Sequence, residues 1–173
     1  MAIEAHKTVY LRDYKPPAWL AVHNDLTFQI FEDRTVVRAL TRYRRNHKDE
    51  EQPVVLNGEH LKLLSLKANG KNIKYKLDDR SLTFDGPDDE FLLEVETEID
   101  PAANTRLEGL YKSGGNWCTQ CEAEGFRTIT YYPDRPDVMA TFQVRIEADK
   151  KACPVLLSNG NLLEEGELED GRH

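Results

Sequence analysis

The sequence predicts an all-β fold, mainly antiparallel, and most simply a β-sandwich. Turn signals recur about every ten residues, which is typical of sandwiches and barrels. Between the turns, apolar and polar residues alternate with a period of two, as they do in strands that have one buried face. Asn57-Gly58 and Asn69-Gly70 are strong turn dipeptides that punctuate this alternation.

The elements follow from this alternation in chain order. In the stretch 35–45, apolar and small side chains alternate with arginines, so we expect one buried and one wet face. In the stretch 91–99, the row from Phe91 to Ile99 faces inward, and Glu94, Glu96 and Glu98 face outward on a solvated surface rather than in a metal or acid–base site. The predicted strands are 25–31, 35–45, 61–67, 73–77, a short one around Leu82 and Phe84, 91–99, 141–147 and 154–157.

Two regions lack this pattern. Periodicity lapses from Pro101 to Gly115, and Gly114-Gly115 indicates a loop. Near the end of the sequence, Asp170-Gly171 is a hairpin turn, and a hairpin needs a returning strand. We therefore expect residues 1–173 to form one domain whose last β element is incomplete.

Composition narrows the class of protein. With 39% hydrophobic and 31% charged residues the chain is a globular domain, and its net charge of −8 argues against a nucleic-acid partner. No apolar run approaches the ~20 residues of a membrane span, and the first residues lack the apolar stretch of a signal peptide. Three cysteines do not make a disulfide framework, so we predict a reduced, cytoplasmic protein. Arg42, Arg44, Arg45 and Lys48, followed by Glu50 and Glu51, predict a solvated strand end.

The most informative stretch is 118–127, Cys-Thr-Gln-Cys-Glu-Ala-Glu-Gly-Phe-Arg, with Pro-Asp-Arg-Pro at 133–136. The joint pattern of Thr119-Gln120-x-Glu122, Arg127 and Asp134-x-Pro136 resembles the substrate-anchoring loop of the M1 family of zinc aminopeptidases. The turn at 133–136 fits the bacterial branch, because the widely distributed version reads Phe-Asp-Glu-Pro. Further similar stretches span the whole chain; they are 35–37, 56–59, 99–105 and 156–161.

The resemblance implies a saddle-like, amino-terminal β-domain of a zinc-dependent aminopeptidase. In the family, the carboxylate at the position of Glu122 holds the free amino terminus of the peptide substrate, and Gln120 would line the pocket for its first side chain. In an extended loop these two side chains would project to one side. The Zn²⁺ ligands and the catalytic residues would belong to a catalytic domain of the same polypeptide, so this chain alone is expected to be inactive.

The spacing of the histidines is consistent with zinc ligands that lie in another domain. A zincin helix needs two histidines four residues apart with a glutamate between them. No pair among His6, His23, His47, His60 and His173 has that spacing, and His60 is expected on a turn or at the surface. There is also no Gly-x-Ser-x-Gly motif to support a serine hydrolase.

Other interpretations remain open. Cys118-x-x-Cys121 allows a redox pair or a zinc knuckle, but a knuckle needs a second ligand pair and only Cys153 remains. A packing role is favoured because the surroundings are β-structure and nearby glutamates disfavour a thiolate. Arg127, Asp134, Arg135 and Asp137 are expected to brace the loop rather than bind substrate. A stand-alone β-sandwich module that binds a protein or glycan is the alternative function.

Overall fold

The computed structural model describes residue 8, residues 10–46 and residues 52–173. This part of the chain contains strands and two short 3-10 helices, Leu11–Asp13 and Phe126–Thr128, and no α-helix. The strands are β1 Trp19–Ile30, β2 Thr35–Arg45, β3 Val54–Asn57, β4 Lys62–Ala68, β5 Lys71–Asn72, β6 Lys76–Leu77, β7 Ser81–Phe84, β8 Glu90–Ile99, β9 Gly109–Ser113, β10 Asn116–Gln120 and β11 Thr141–Ala148.

The strands form three open sheets. A six-stranded sheet has the order β11-β1-β2-β8-β4-β5, a three-stranded sheet has the order β3-β7-β6, and β9 and β10 form a separate hairpin. Every neighbouring pair is antiparallel except β1 and β11, which run parallel. The predicted all-β, mainly antiparallel fold is therefore confirmed.

The core lies under the inner face of the large sheet, where β2 and β8 pair. Val37 pairs with Thr97 and Tyr43 pairs with Phe91, and all of these side chains are buried. The ring of Phe91 stacks on Tyr43 at 5.5 Å and meets the ring of Trp19 edge-on at 5.3 Å, a geometry that aromatic pairs prefer. The three-stranded sheet adds Val54, Leu56, Leu82 and Phe84 to the same cluster.

The outer face of β8 is polar, as the alternation predicts. Glu98 accepts a 2.8 Å hydrogen bond from Lys62 on β4, and Glu94 lies 3.3 Å from Lys67. On the other side, Arg38 of β2 lies 3.5 Å from Glu96. These cross-strand pairs balance the carboxylate row, although each exposed pair contributes at most about 1 kcal/mol.

Three predictions about individual elements are wrong. Residues 154–157 form no strand; Val155 and Leu157 are 70% and 84% exposed and have no ladder partner among the described residues. The stretch 73–77 shortens to β6. The stretch 101–115 is not all loop, because it contains β9, and Gly114-Gly115 forms the turn of the β9–β10 hairpin with φ of 56° and 88°.

The chain after β11 returns to the end of that strand. The predicted turn at Asp170-Gly171 forms, with Leu168 N donating to the Arg172 carbonyl at 2.8 Å. The backbone of Arg172 forms an isolated antiparallel β-bridge with that of Asp149. The Arg172 guanidinium lies 3.2 Å from the buried Glu147 carboxylate. Burial acts to raise the pKa of Glu147, but hydrogen bonds from Gln29 and Arg145 and the nearby guanidinium charges hold that pKa below its usual range.

Some predictions fall on residues outside the described part. The predicted absence of a signal peptide concerns residues 1–7, which include His6. His47 and three members of the charged cluster also lie outside the described part; these members are Lys48, Glu50 and Glu51. Arg42 and Arg44 are described and are exposed, as expected for a solvated strand end. Neither helix of the described part has the length or the apolar character needed to cross a membrane.

Candidate functional site

The β9–β10 hairpin carries the motif to the surface. β10 pairs with β9 up to its last residue, Gln120, which lies opposite Gly109. The chain then turns at residues 122–125, where Gly125 N donates to the Cys121 carbonyl at 2.8 Å. The peptide bond between Glu122 and Ala123 is cis. The short helix Phe126–Thr128 follows directly, so the turn is held between the hairpin and this helix.

Two glycines let the hairpin base and the turn pack in direct contact. A Cβ on Gly125 would lie 2.5 Å from the Gln120 carbonyl oxygen, so only glycine fits there. Gly109 has a φ of +68°, and a Cβ on it would lie 2.0 Å from Thr128 Oγ1. That hydroxyl is buried and donates to the Gly125 carbonyl at 2.8 Å, so it cannot swing away without losing its bond.

Replacing Gly109 with alanine tests this contact. We expect Gly109→Ala to destabilise the chain by about 2–5 kcal/mol, from backbone strain at positive φ and from overpacking against Thr128. Gly114→Ala is the matched control: Gly114 has a φ of +56° but no atom within 4 Å of its Cβ position, so only the backbone cost of about 1–2 kcal/mol should appear. Urea unfolding of both variants measures the difference, and equal losses would contradict the packing argument.

Arg127 ties the turn to the segment that follows it. Its side chain is only 10% exposed, and its Nε donates to Asp134 Oδ2 at 3.0 Å while Nη2 donates to the Asp134 carbonyl at 3.0 Å. Its backbone N–H bonds the same Oδ2 at 3.1 Å. The predicted bracing role of Arg127 and Asp134 is confirmed.

Arg135 and Asp137 also brace the loop, as predicted. The Arg135 guanidinium donates to both Asp137 carboxylate oxygens, at 2.8 and 2.6 Å. It also donates to the Lys15 carbonyl at 2.9 Å, and the Tyr14 hydroxyl donates to Asp137 at 3.0 Å. The pair therefore joins the loop to the chain segment that precedes β1.

Sequence reasoning missed two further anchors, Asn57 and Glu59. Asn57 exchanges backbone hydrogen bonds with Tyr132 at 2.8 and 3.1 Å, and its side-chain oxygen accepts from Asp134 N at 3.1 Å. Glu59 N donates to the Arg127 carbonyl at 2.9 Å, and its carboxylate lies 3.7 Å from the Arg127 guanidinium. The only signal for these roles was the family-like stretch 56–59, which alone suggested no more than a turn.

The turn presents two carboxylates in different electrostatic states. Glu124 lies 3.3 Å from Arg127 Nη1, so part of its charge is balanced. Glu122 is exposed and forms no ion pair with any described residue. Of the two, Glu122 is the carboxylate that no cation of the described residues balances.

Gln120 lies beside Glu122, although the extended loop that would have aligned the two side chains does not form. The chain turns immediately after Cys121. Instead, Gln120 Nε2 donates to the main-chain carbonyl of Glu122 at 3.1 Å. Both side chains are exposed, so the structure brings the two predicted site residues together at one surface.

The cysteines of the motif are free thiols. Cys121 is partly buried against the hydrophobic cluster, which confirms its packing role. Burial, together with the charge of Asp134, raises the pKa of the Cys121 thiol. A raised pKa reduces the thiolate fraction that redox or nucleophilic chemistry needs.

The described residues do not fit a zinc ion. Nowhere in residues 10–46 and 52–173 do three His, Cys, Asp or Glu side chains gather as a metal site requires. His60 lies exposed on a turn with a φ of 59°, as predicted. No chemical step of zinc catalysis is therefore assigned to these residues.

The β-domain, with its hairpin and its carboxylate-bearing turn, corresponds to a known class of amino-terminal peptidase domain. Residues 20–173 match the family description "Peptidase M1 N-terminal domain", and the chain belongs to that family. The resemblance drawn from the motif is confirmed.

Individual relatives agree with this membership. The chain is 49% identical over 165 residues to Aminopeptidase N of Escherichia coli, a match that covers 95% of this chain and 19% of that protein. It superposes on Legionella pneumophila aminopeptidase A, solved in complex with aspartic acid, with a TM-score of 0.87 and 35% identity over 94% of this chain and 20% of that one. The chain thus spans about a fifth of the length of the curated relatives that it matches over nearly its whole length.

A more distant structure shares the fold. The M1 zinc metallopeptidase of Deinococcus radiodurans, solved with a Tyr-Ser-Ala substrate, matches with a TM-score of 0.64 and 17% identity, over 75% of this chain and 32% of that one. At this identity the likeness concerns the fold alone.

Proposed function

We propose that this chain is the substrate-anchoring, amino-terminal domain of a zinc-dependent aminopeptidase that releases amino-terminal residues from peptides. The observation that carries the proposal is the exposed carboxylate of Glu122, which has no ion pair with a described residue, on a braced turn beside a second carboxylate that Arg127 already balances. The relatives named as aminopeptidases support the same reaction class.

The chemistry of Glu122 suits recognition of a free amino terminus. An α-ammonium carries a positive charge and only hydrogen-bond donors, and a carboxylate offers a negative charge and only acceptors. A charged hydrogen bond of this kind contributes about 1.5–3 kcal/mol. An internal or acetylated amide lacks the charge, so it loses this contribution and is rejected. Gln120, adjacent on the same surface, would line the pocket for the first side chain of the substrate.

We further propose that the zinc ligands and hydrolytic residues belong to a catalytic domain of the same polypeptide. The support is the length of the relatives, of which this chain covers about a fifth, and the motif at residues 118–136, which resembles the zinc aminopeptidase family. When bound there, Zn²⁺ would supply an activated water for peptide hydrolysis. The domain described here would contribute recognition of the substrate and no part of the bond cleavage.

The test compares the whole polypeptide with the 173-residue chain on an alanyl chromogenic amide and on its N-acetyl counterpart. We expect the whole polypeptide to hydrolyse only the free-amine substrate, to lose activity with a chelator and to regain it with Zn²⁺. The 173-residue chain should be inactive under all conditions. Zinc-dependent turnover by the 173-residue chain, or equal hydrolysis of both substrates by the whole polypeptide, would overturn the proposal.

A further inference from the structure

The inner face of the large sheet carries a fully buried asparagine. Asn24 of β1 has no solvent exposure, and neither its Nδ2 donor nor its Oδ1 acceptor has a hydrogen-bond partner among the described residues. It pairs with Thr41 of β2 on one side and with Phe142 of β11 on the other. Burying an amide without hydrogen bonds is unfavourable, and native proteins almost always satisfy such a group with protein atoms or ordered water.

Two buried tyrosines approach Asn24 from its two neighbouring strands. Tyr43 follows Thr41 on the same face of β2, and the Tyr132 ring lies 5.9 Å from that of Phe142. Both hydroxyls are enclosed and have no hydrogen-bond partner in the described part of the chain. Burial raises the pKa of Tyr43 well above its usual value, and the neighbouring Tyr132 raises it further. The Thr41 hydroxyl is near enough to lower that pKa, but it is not in hydrogen-bond geometry.

We propose that Asn24, Tyr43 and Tyr132 together bind an ordered internal water molecule beneath the large sheet. A buried water typically makes about three hydrogen bonds to polar groups that lack other partners. These side chains offer an amide donor, an amide acceptor and two hydroxyls that act as either, so they supply a complete set of partners. Tyr43 also lines an open cavity of about 470 Å³ beside β3, so bulk solvent comes within one side chain of the water site.

The water site lies under the segment that braces the candidate site. Asp134, two residues after Tyr132, accepts the hydrogen bond that holds Arg127. The Tyr132 ring also meets the Phe126 ring edge-on at 5.0 Å, and Phe126 begins the short helix that follows the Glu122 turn. A water bound to Tyr132 therefore links β1 and β2 to this brace. The water site does not depend on the proposed function.

A high-resolution crystal structure of the whole polypeptide tests the site directly. We expect an ordered water within about 2.7–3.2 Å of the Asn24 amide group and of at least one of the two tyrosine hydroxyls. Asn24→Leu keeps the number and branching of the side-chain heavy atoms but removes both polar groups, so its structure should show no water there. A dry site in the unaltered protein, or an Asn24 side chain bonded directly to Tyr43 or Tyr132, would overturn the proposal.

Amide hydrogen exchange of the whole polypeptide measures the coupling through the water. Exchange rates report local opening, so losing one water-mediated hydrogen bond in Tyr43→Phe should speed exchange in peptides from β1 and β2 by roughly 2- to 12-fold. In the Asn24→Leu background, where the water is gone, the same substitution should not speed exchange further.

Tyr131→Phe is the matched control for this experiment. Its ring is buried too, but its hydroxyl is not one of the enclosed, unpartnered atoms, so its effect should be the same with and without Asn24→Leu. Removing a dry, unpaired hydroxyl would instead stabilise the sheet. Slower exchange in Tyr43→Phe, or an equal effect of Tyr43→Phe in both backgrounds, would therefore contradict the proposal.

Discussion

Glu122→Gln in the whole polypeptide will lower kcat/KM for free-amine substrates by roughly 10- to 150-fold, mainly through a higher KM. This range converts a loss of about 1.5–3 kcal/mol, the usual contribution of a charged hydrogen bond. Glutamine keeps the shape of the side chain and one acceptor but removes the charge that attracts the ammonium. Because Glu122 is exposed and forms no ion pair with a described residue, stability should not change. Steady-state kinetics and thermal unfolding measure the two quantities.

Glu124→Gln is the matched control, since it makes the same chemical change two residues away on the same turn. Glu124 faces Arg127 at 3.3 Å and is 66% exposed, so we expect a change in kcat/KM of less than about fivefold, the size of a surface ion pair. An unchanged KM and kcat in Glu122→Gln would remove Glu122 from the site. Equal losses in the two variants would mean that the general negative charge of the turn, rather than one positioned carboxylate, attracts the substrate.

Arg127→Leu will destabilise the domain by about 3–5 kcal/mol, because it removes a buried cation and leaves the largely covered Asp134 carboxylate without it. The Asp134 side chain is 12% exposed. In the variant, its carboxylate oxygen Oδ2 and the main-chain oxygen of Asp134 each lose a guanidinium donor. The turn that carries Glu122 should also lose its fixed position, which raises KM in the whole polypeptide. Urea unfolding gives the stability, and the KM gives the effect on the site.

Arg135→Leu provides the comparison for Arg127. Arg135 is 40% exposed, and its pair with Asp137 lies at the surface side of the same loop. We expect a loss of at most about 1 kcal/mol, as for other exposed pairs. If both leucine variants lost the same stability, burial of the Arg127–Asp134 pair would not be the reason for its importance.

The parts of the fold that could be predicted are those with one buried and one polar face. β2 and β8 pack one face against the core, so their side chains alternate and their predicted and observed positions agree. β9 and β10 escaped prediction because their burial does not alternate: β9 is buried at Gly109 and Leu110 and exposed toward the tip, and β10 has no buried residue. The apolar run 154–157 predicted a strand wrongly, since a strand also needs a neighbouring ladder, and sequence alone does not show one.

The residues of the candidate site also divide into those that the sequence indicated and those that it did not. Gln120 and Glu122 came from resemblance to a family, because two exposed polar residues on a turn carry no physical signal of their own. Asn57 and Glu59 could not be found, since their contacts with Tyr132, Asp134 and Arg127 join segments about 70 residues apart. The reduced, cytoplasmic location remains a prediction from the cysteine count.

The contrast between the two ends of the β9–β10 hairpin shows which end tolerates change. At the base, Gly109 meets Thr128 with no room for a methyl group, whereas at the tip, Gly114 and Gly115 have open space around them. Open loop tips tolerate insertions, and tightly packed bases do not. Lengthening the tip would therefore add new surface at the outer end of the hairpin, while the packed base keeps Gln120 and the turn that carries Glu122 in place.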